Sequence, residues 1–186
     1  MKMKRIALIL LPIAFITLAA FTYFKPTPKP AEAGGIKWMT WEQVEKAQKV
    51  QPRKVYVDIY TDWCGWCKRM DATTFTNPEI INYINNNYYA VKFDAETKEN
   101  IKLNGKEYKF VPSGSRGYNE LAAEIMRGQM SYPTTVYMNE NLEVIFPVPG
   151  YMSAQDLERV IHYVNTNSYK EVSWEQYQQT FVGKIK

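Results

Sequence analysis

Apolar residues in this chain fall into short blocks whose spacing alternates between that of a helix and that of a strand. Thr40-Trp41-Glu42-Gln43 fits a capping box, and Trp41, Val44 and Ala47 follow at helical spacing, so a helix is expected over 41–50, stopped by Pro52. Residues 54–60 are almost continuously apolar or β-branched, the pattern of a central strand covered on both faces. A helix is expected from Cys64 to about Ala72. Asn77-Pro78-Glu79 marks another helix start, with Ile80, Ile81 and Ile84 as its buried face. Residues 88–94 read as the next strand.

The stretch 95–131 interrupts this alternation. Asn104-Gly105 signals a hairpin between Ile101/Leu103 and Tyr108/Phe110, residues 112–115 read as a loop, and 118–127 as a helix stopped by Gly128. Strands are expected at 134–138 and 142–146, then a helix opening at Ser153 with Leu157, Val160, Ile161 and Val164 on one face. Ser173-Trp174-Glu175-Gln176 starts a short last helix. The expected class is α/β.

The first 35 residues read differently. Lys2, Lys4 and Arg5 precede an apolar run from Ile6 to Phe24, near the length that crosses a bilayer. Segment 1–24 is therefore expected to be a signal anchor, or a signal peptide cleaved near Ala31-Glu32-Ala33, with the positive flank retained inside and the rest exported. Residues 25–35, carrying alternate prolines, form a semi-rigid linker. The domain then spans 36–186, with an insertion at about 95–131 and a helical extension at about 170–186.

Five basic residues and one acid among the first 33 account for the whole formal charge of +4, so the domain itself is formally neutral. With no basic stripe, a nucleic-acid partner is not expected. The 46% apolar content is ample for a packed core.

The only two cysteines, Cys64 and Cys67, stand in Trp63-Cys64-Gly65-Trp66-Cys67-Lys68 directly after the predicted strand. A domain this size scarcely needs one disulfide staple, and a two-residue loop restricts the unfolded chain little, so exchange chemistry explains the pair better. Half of a zinc site stays open as an alternative, but zinc would need two more ligands and the chain has one histidine and no second cysteine pair; covalent haem would need a histidine at position 68, where lysine stands, and no cofactor is expected. A static disulfide stays open as an alternative. At a helix N-terminus the Cys64 thiolate meets free N–H groups and the positive end of the dipole, which marks it as the nucleophile; Cys67, one turn further in, would resolve the mixed disulfide. Asp58 is an acid inside an apolar strand. If buried, its pKa rises and it becomes a proton acceptor for Cys67; if edge-facing, it is simply solvated. Lys92 lies near Asp58 or is an ordinary surface lysine. His162 sits between core positions and reads as structural.

Taken with the order of elements, Cys64-Gly65-Trp66-Cys67, Asp58 six residues earlier, Tyr132-Pro133 before a strand and Gly150 after the last strand resemble the thioredoxin superfamily over roughly 44–164. The Trp-Cys-x-Trp-Cys-Lys-x-Met-Asp run resembles envelope thioredoxin-like proteins of Bacteroidetes-type bacteria. The resemblance implies a thioredoxin fold with a mixed central sheet flanked by helices, a cis peptide bond before Pro133, and substrate contact by Trp63, Gly65, Trp66, Tyr132 and Pro133. Trp63 flanks the same surface but is expected to pack largely into the core. The motif centre is Gly-Trp where cytoplasmic thioredoxins have Gly-Pro.

The expected function is thiol-disulfide exchange on exported proteins, leaning to reduction, in the periplasm-facing bacterial envelope and tethered to the inner membrane or secreted. With no nucleotide motif and no further cysteines, electrons must pass to or from a separate protein. A non-catalytic interaction or chaperone module, or a redox sensor, are the rival readings.

Overall fold

The computed structural model describes residues 34–186. The expected anchor at 1–24 and nearly all of the linker lie outside the described residues. Among the described residues no helix is long and apolar enough to cross a membrane.

The elements run α1 (Trp41–Val50), β1 (Lys54–Tyr60), α2 (Gly65–Thr73), α3 (Pro78–Asn87), β2 (Tyr88–Asp94), β3 (Ile101–Leu103), β4 (Lys106–Tyr108), β5 (Phe110–Ser113), β6 (Arg116–Asn119), α4 (Glu120–Ile125), β7 (Thr134–Met138), β8 (Val144–Pro149), α5 (Ala154–Asn165) and α6 (Trp174–Thr180). The capping box closes as the sequence implies: Gln43 N–H donates to the Thr40 hydroxyl and Thr40 N–H to the Gln43 side chain.

The main sheet has the order β2-β1-β7-β8, with β1 parallel to β2 and antiparallel to β7. Strand β1 is central, which is why its sequence is apolar on both faces. Val55, Val57 and Ile59 pack with Trp41 and Val44 of α1 and with Leu121, Ala122 and Ile125 of α4. Tyr56 on the other face packs with Met70 of α2, Ile80 and Ile84 of α3, and Leu157 and Ile161 of α5. Each such fully buried side chain contributes about 1.5–3 kcal/mol of transfer free energy. Strand β8 carries Pro147 and Pro149, tolerated because it is an edge.

Two expectations are corrected. The last strand begins at Val144 rather than 142. The Asn139 side-chain oxygen accepts the N–H groups of Asn141 and Glu143, and Leu142 lies in the turn at φ 62 with its side chain buried.

The second correction concerns the insertion. Asn104 and Gly105, both at positive φ, turn the first hairpin as expected. Phe110, expected on the flank of the first hairpin, the expected loop at 112–115 and the expected helix start at 118 instead belong to a second hairpin, β5–β6, and α4 starts at Glu120. The turn at Gly114 (φ 58) permits it, and the Asn119 side chain both caps α4 through Leu121 N–H and holds Glu99 O at 3.1 Å. Gly117 lies under the Phe110 ring, where an added Cβ would come within 2.2 Å of a ring carbon. Gly117→Ala is therefore expected to destabilise the protein by about 1–3 kcal/mol, read as a lowered denaturation midpoint; an unchanged midpoint would contradict this packing.

Candidate active site

Strand β1 ends at Tyr60, and a three-residue turn delivers Cys64 to the N-cap of α2. Cys64 N–H donates to Thr61 O at 3.1 Å, which fixes the turn. Cys64 and Cys67 are joined by a disulfide. The Cys67 N–H donates to the Cys64 sulfur at 3.0 Å, so one orphan donor of the helix start already points at that atom. Both cysteines are buried, at 4% and 2% exposure. Gly65 is exposed, and a Cβ there would meet no protein atom, so the lack of a side chain leaves open surface beside the disulfide.

Asp58 is 1% exposed, in the centre of the sheet, so the solvated alternative does not apply. One carboxylate oxygen accepts from Lys92 Nζ at 2.8 Å, and the other has no partner. Burial raises the Asp58 pKa, against the opposing pull of Lys92. Lys92 is thus the partner of Asp58 rather than a free surface lysine. Its Nζ also bonds Asp71, on α2 four residues after Cys67. Burial would lower the Lys92 pKa, but the two carboxylates outweigh it and hold the group above the ordinary lysine value.

Trp66 is 56% exposed, as expected, but Trp63 is 51% exposed, which corrects its expected place in the core. The turn that brings Cys64 to the helix start leaves Trp63 at the surface. Its ring packs edge-on against Tyr132 at 5.8 Å, its indole N–H donates to Glu96 at 3.1 Å, and the Arg116 guanidinium lies 4.3 Å from the ring centre. Trp66 meets Tyr151 at 5.5 Å, and the Arg69 guanidinium lies over both rings. The Tyr132–Pro133 bond is cis; Pro133 is buried and Tyr132 half-buried. Burial first, and then Glu96 and Asp94, push the Tyr132 phenol up to about 12.

His162 lies away from these groups, stacked on Tyr83 at 3.8 Å. Among the described residues no cluster of acids, histidines or cysteines is placed to hold a metal ion.

Sequence reasoning gave no role to Asp71, Arg69, Tyr151, Glu96 or Arg116. Asp71 carried a usable signal, since its i+4 spacing from Cys67 places it on the same helix face. Arg116 carried none, because its place depends on the unexpected second hairpin.

A family model for the thioredoxin-like domain matches residues 41–165. The chain belongs to the thioredoxin-like domain family. The match spans the main sheet, the disulfide and the insertion. A local stretch is 41% identical over 39 residues to the thiol:disulfide interchange protein DsbD of Haemophilus ducreyi, covering 21% of this chain and 7% of that protein. The chain spans 7–8% of the length of the curated relatives it matches. A thioredoxin-fold protein from Helicobacter pylori superposes with a TM-score of 0.52 at 16% identity, over 69% of this chain and 78% of that one. A candidate disulphide-isomerase from Bacteroides thetaiotaomicron superposes with a TM-score of 0.51 at 24% identity, over 76% of this chain and all of that one. These superpositions establish the thioredoxin-like fold.

Proposed function

We propose that this thioredoxin-like protein is a thiol-disulfide oxidoreductase acting on exported proteins, with Cys64 as nucleophile. The observation that carries the reading is the Cys64 sulfur at the N-cap of α2, bonded to Cys67 and accepting its N–H. In the reduced protein the same donor and the helix dipole favour the Cys64 thiolate.

The thiolate attacks a substrate disulfide: a Cys64–substrate S–S bond forms, the substrate bond breaks, and one substrate thiolate leaves and takes a proton from solvent. Cys67 then gives its proton to Asp58 and attacks the Cys64 sulfur. The Cys64–Cys67 bond closes, the second substrate sulfur departs as a thiolate and takes a proton from solvent, and Asp58 returns its proton to solvent. The substrate gains two electrons and two protons, and a separate donor protein must restore the dithiol. Asp58 suits the acceptor role because burial raises its affinity for the proton while one oxygen has no partner. Gly65, Trp66, Trp63 and Tyr132 form the surface that meets the substrate, with the buried Pro133 following Tyr132.

The charged flank and apolar run of 1–24 support export, and the proline-rich linker supports a domain held off the inner membrane, facing the periplasm. With dithiothreitol as donor, the full chain is expected to accelerate reduction of insulin disulfides, read as turbidity; no acceleration over dithiothreitol alone would contradict the reading. A midpoint potential near roughly −270 mV would fit a reductase, and one near roughly −120 mV a disulfide donor.

A further inference from the structure

Asp58 belongs to a block of buried polar side chains in the centre of the sheet. Strands β1 and β7 run antiparallel, with Asp58 directly opposite Thr135 and Tyr56 directly opposite Tyr137. Opposed residues share a face of the sheet, and so do residues two apart along a strand, so all four side chains lie on the face covered by α2, α3 and α5. The Tyr56 and Tyr137 rings are 5.7 Å apart. All four residues are buried. Among the described residues, one Asp58 carboxylate oxygen (Oδ1), the Thr135 hydroxyl and both phenol oxygens have no hydrogen-bond partner.

Buried polar atoms without partners are rare and destabilising, so four in one block call for a reason. Only one member of the block changes charge near neutral pH. Burial holds the Tyr56 and Tyr137 phenols well above their ordinary value, so both keep their protons. Asp58 alone passes between a carboxylate that only accepts and a carboxylic acid that also donates. The titratable groups around it are Lys92 from β2, Asp71 and Cys67 from α2, Tyr56 and Tyr60 along β1, and Tyr137 from β7. Lys92 occupies the other carboxylate oxygen and is itself shared with Asp71.

Thr135 is the neighbour that can serve both forms of Asp58. A hydroxyl donates one hydrogen bond and accepts others. Side chains directly opposite on an antiparallel pair have Cβ atoms about 4.5–5.5 Å apart, within reach of a turn about one side-chain bond.

We propose that Thr135 is a positioning residue for Asp58: its hydroxyl donates to the free carboxylate oxygen while Asp58 is charged, and turns to the Tyr137 oxygen once Asp58 holds the Cys67 proton. The inference rests on the exchange activity and the proton-accepting role of Asp58 proposed above. The protonated oxygen then donates to the Thr135 oxygen, so neither state leaves it bare. A hydrogen bond to a carboxylate is stronger than the neutral bond that replaces it. Thr135 therefore favours charged Asp58 and keeps it ready to accept a proton at lower pH. Thr135 acts through Asp58 and takes no part in the sulfur chemistry.

The test mixes the reduced full chain with one equivalent of the disulfide of 2-nitro-5-thiobenzoate. Attack by Cys64 releases the first thiobenzoate, and closure by Cys67 releases the second. The rate of the second release is followed against pH, and its acid limb reads the charged fraction of Asp58. Thr135→Val keeps the branched shape and loses the hydroxyl. It is expected to move the limb up by about one pH unit, which is about tenfold slower closure on the limb itself. Thr135→Ala loses the same hydroxyl and is expected to move the limb likewise. Thr135→Ser keeps the hydroxyl and should keep the natural limb; a role in packing alone predicts the reverse order for Val and Ser. In the Asp58→Asn background, adding Thr135→Val should change closure by less than about twofold. A limb that stays in place in Thr135→Val and Thr135→Ala, a limb that moves equally in Thr135→Ser, or an undiminished Thr135→Val effect in Asp58→Asn would overturn the positioning role. A natural chain that closes with no acid limb would overturn the role of Asp58 as acceptor, and one that never releases the second thiobenzoate would overturn the exchange activity, the positioning role falling with either.

Discussion

Replacing Cys64 by alanine is expected to lower the rate of insulin reduction by on the order of 10³-fold or more, because no other thiol in the chain stands at a helix start. Cys67→Ser is expected to fail differently. Cys64 still attacks, but nothing resolves the product, so a covalent complex with substrate accumulates and is seen on a non-reducing gel. The asymmetry follows from position: Cys64 caps α2, and Cys67 lies one turn inside it and supplies the N–H that Cys64 accepts. Equal trapping by Cys64→Ser and Cys67→Ser would contradict this assignment. An insulin-reduction rate at the dithiothreitol background in both the natural chain and Cys64→Ala would favour the non-catalytic interaction module.

Asp58→Asn is expected to make the protein more stable and the proposed exchange slower. Burial raises the Asp58 pKa above its ordinary value of 3.8, so the folded state holds the proton more tightly than the unfolded state does. Stability is therefore lost as pH rises from about 3.8 through the raised folded value, and it stays lost above that value. Asparagine removes this cost, and Lys92 keeps Asp71 as its partner. The expected gain is about 1–3 kcal/mol near neutral pH, vanishing below about pH 3.8. Denaturation midpoints across pH check it, and a loss of stability at pH 7 would contradict the account. Resolution of the mixed disulfide should slow by about 10²-fold, with the deficit shrinking as pH approaches the ordinary cysteine pKa of about 8.5.

The sheet and its helices were legible because their signals are local. The apolar run of residues 54–60, the capping box at Thr40 and the proline after Asn77 each act within a few residues. Cys64, Cys67 and Asp58 were legible because thiols at that spacing and an acid in an apolar strand are rare for structural reasons. The second hairpin was not legible: Pro112, Ser113 and Gly114 read equally well as loop, and its pairing is completed by the Phe110 ring closing on Gly117. Missing the hairpin hid Arg116. The exposure of Trp63 was missed for a related reason, since a tryptophan after a buried strand suggests core, and only the turn closed by Cys64 N–H on Thr61 sends it to the surface.

The most direct measurement equilibrates the full chain across a series of dithiothreitol redox buffers, reading the fluorescence of Trp63 and Trp66 and the number of alkylated thiols. The account predicts one reversible transition in which both cysteines become alkylated together while the protein stays folded. A disulfide that remains closed across the series, or opens only when the protein unfolds, would contradict the exchange activity and leave Cys64–Cys67 as a static staple.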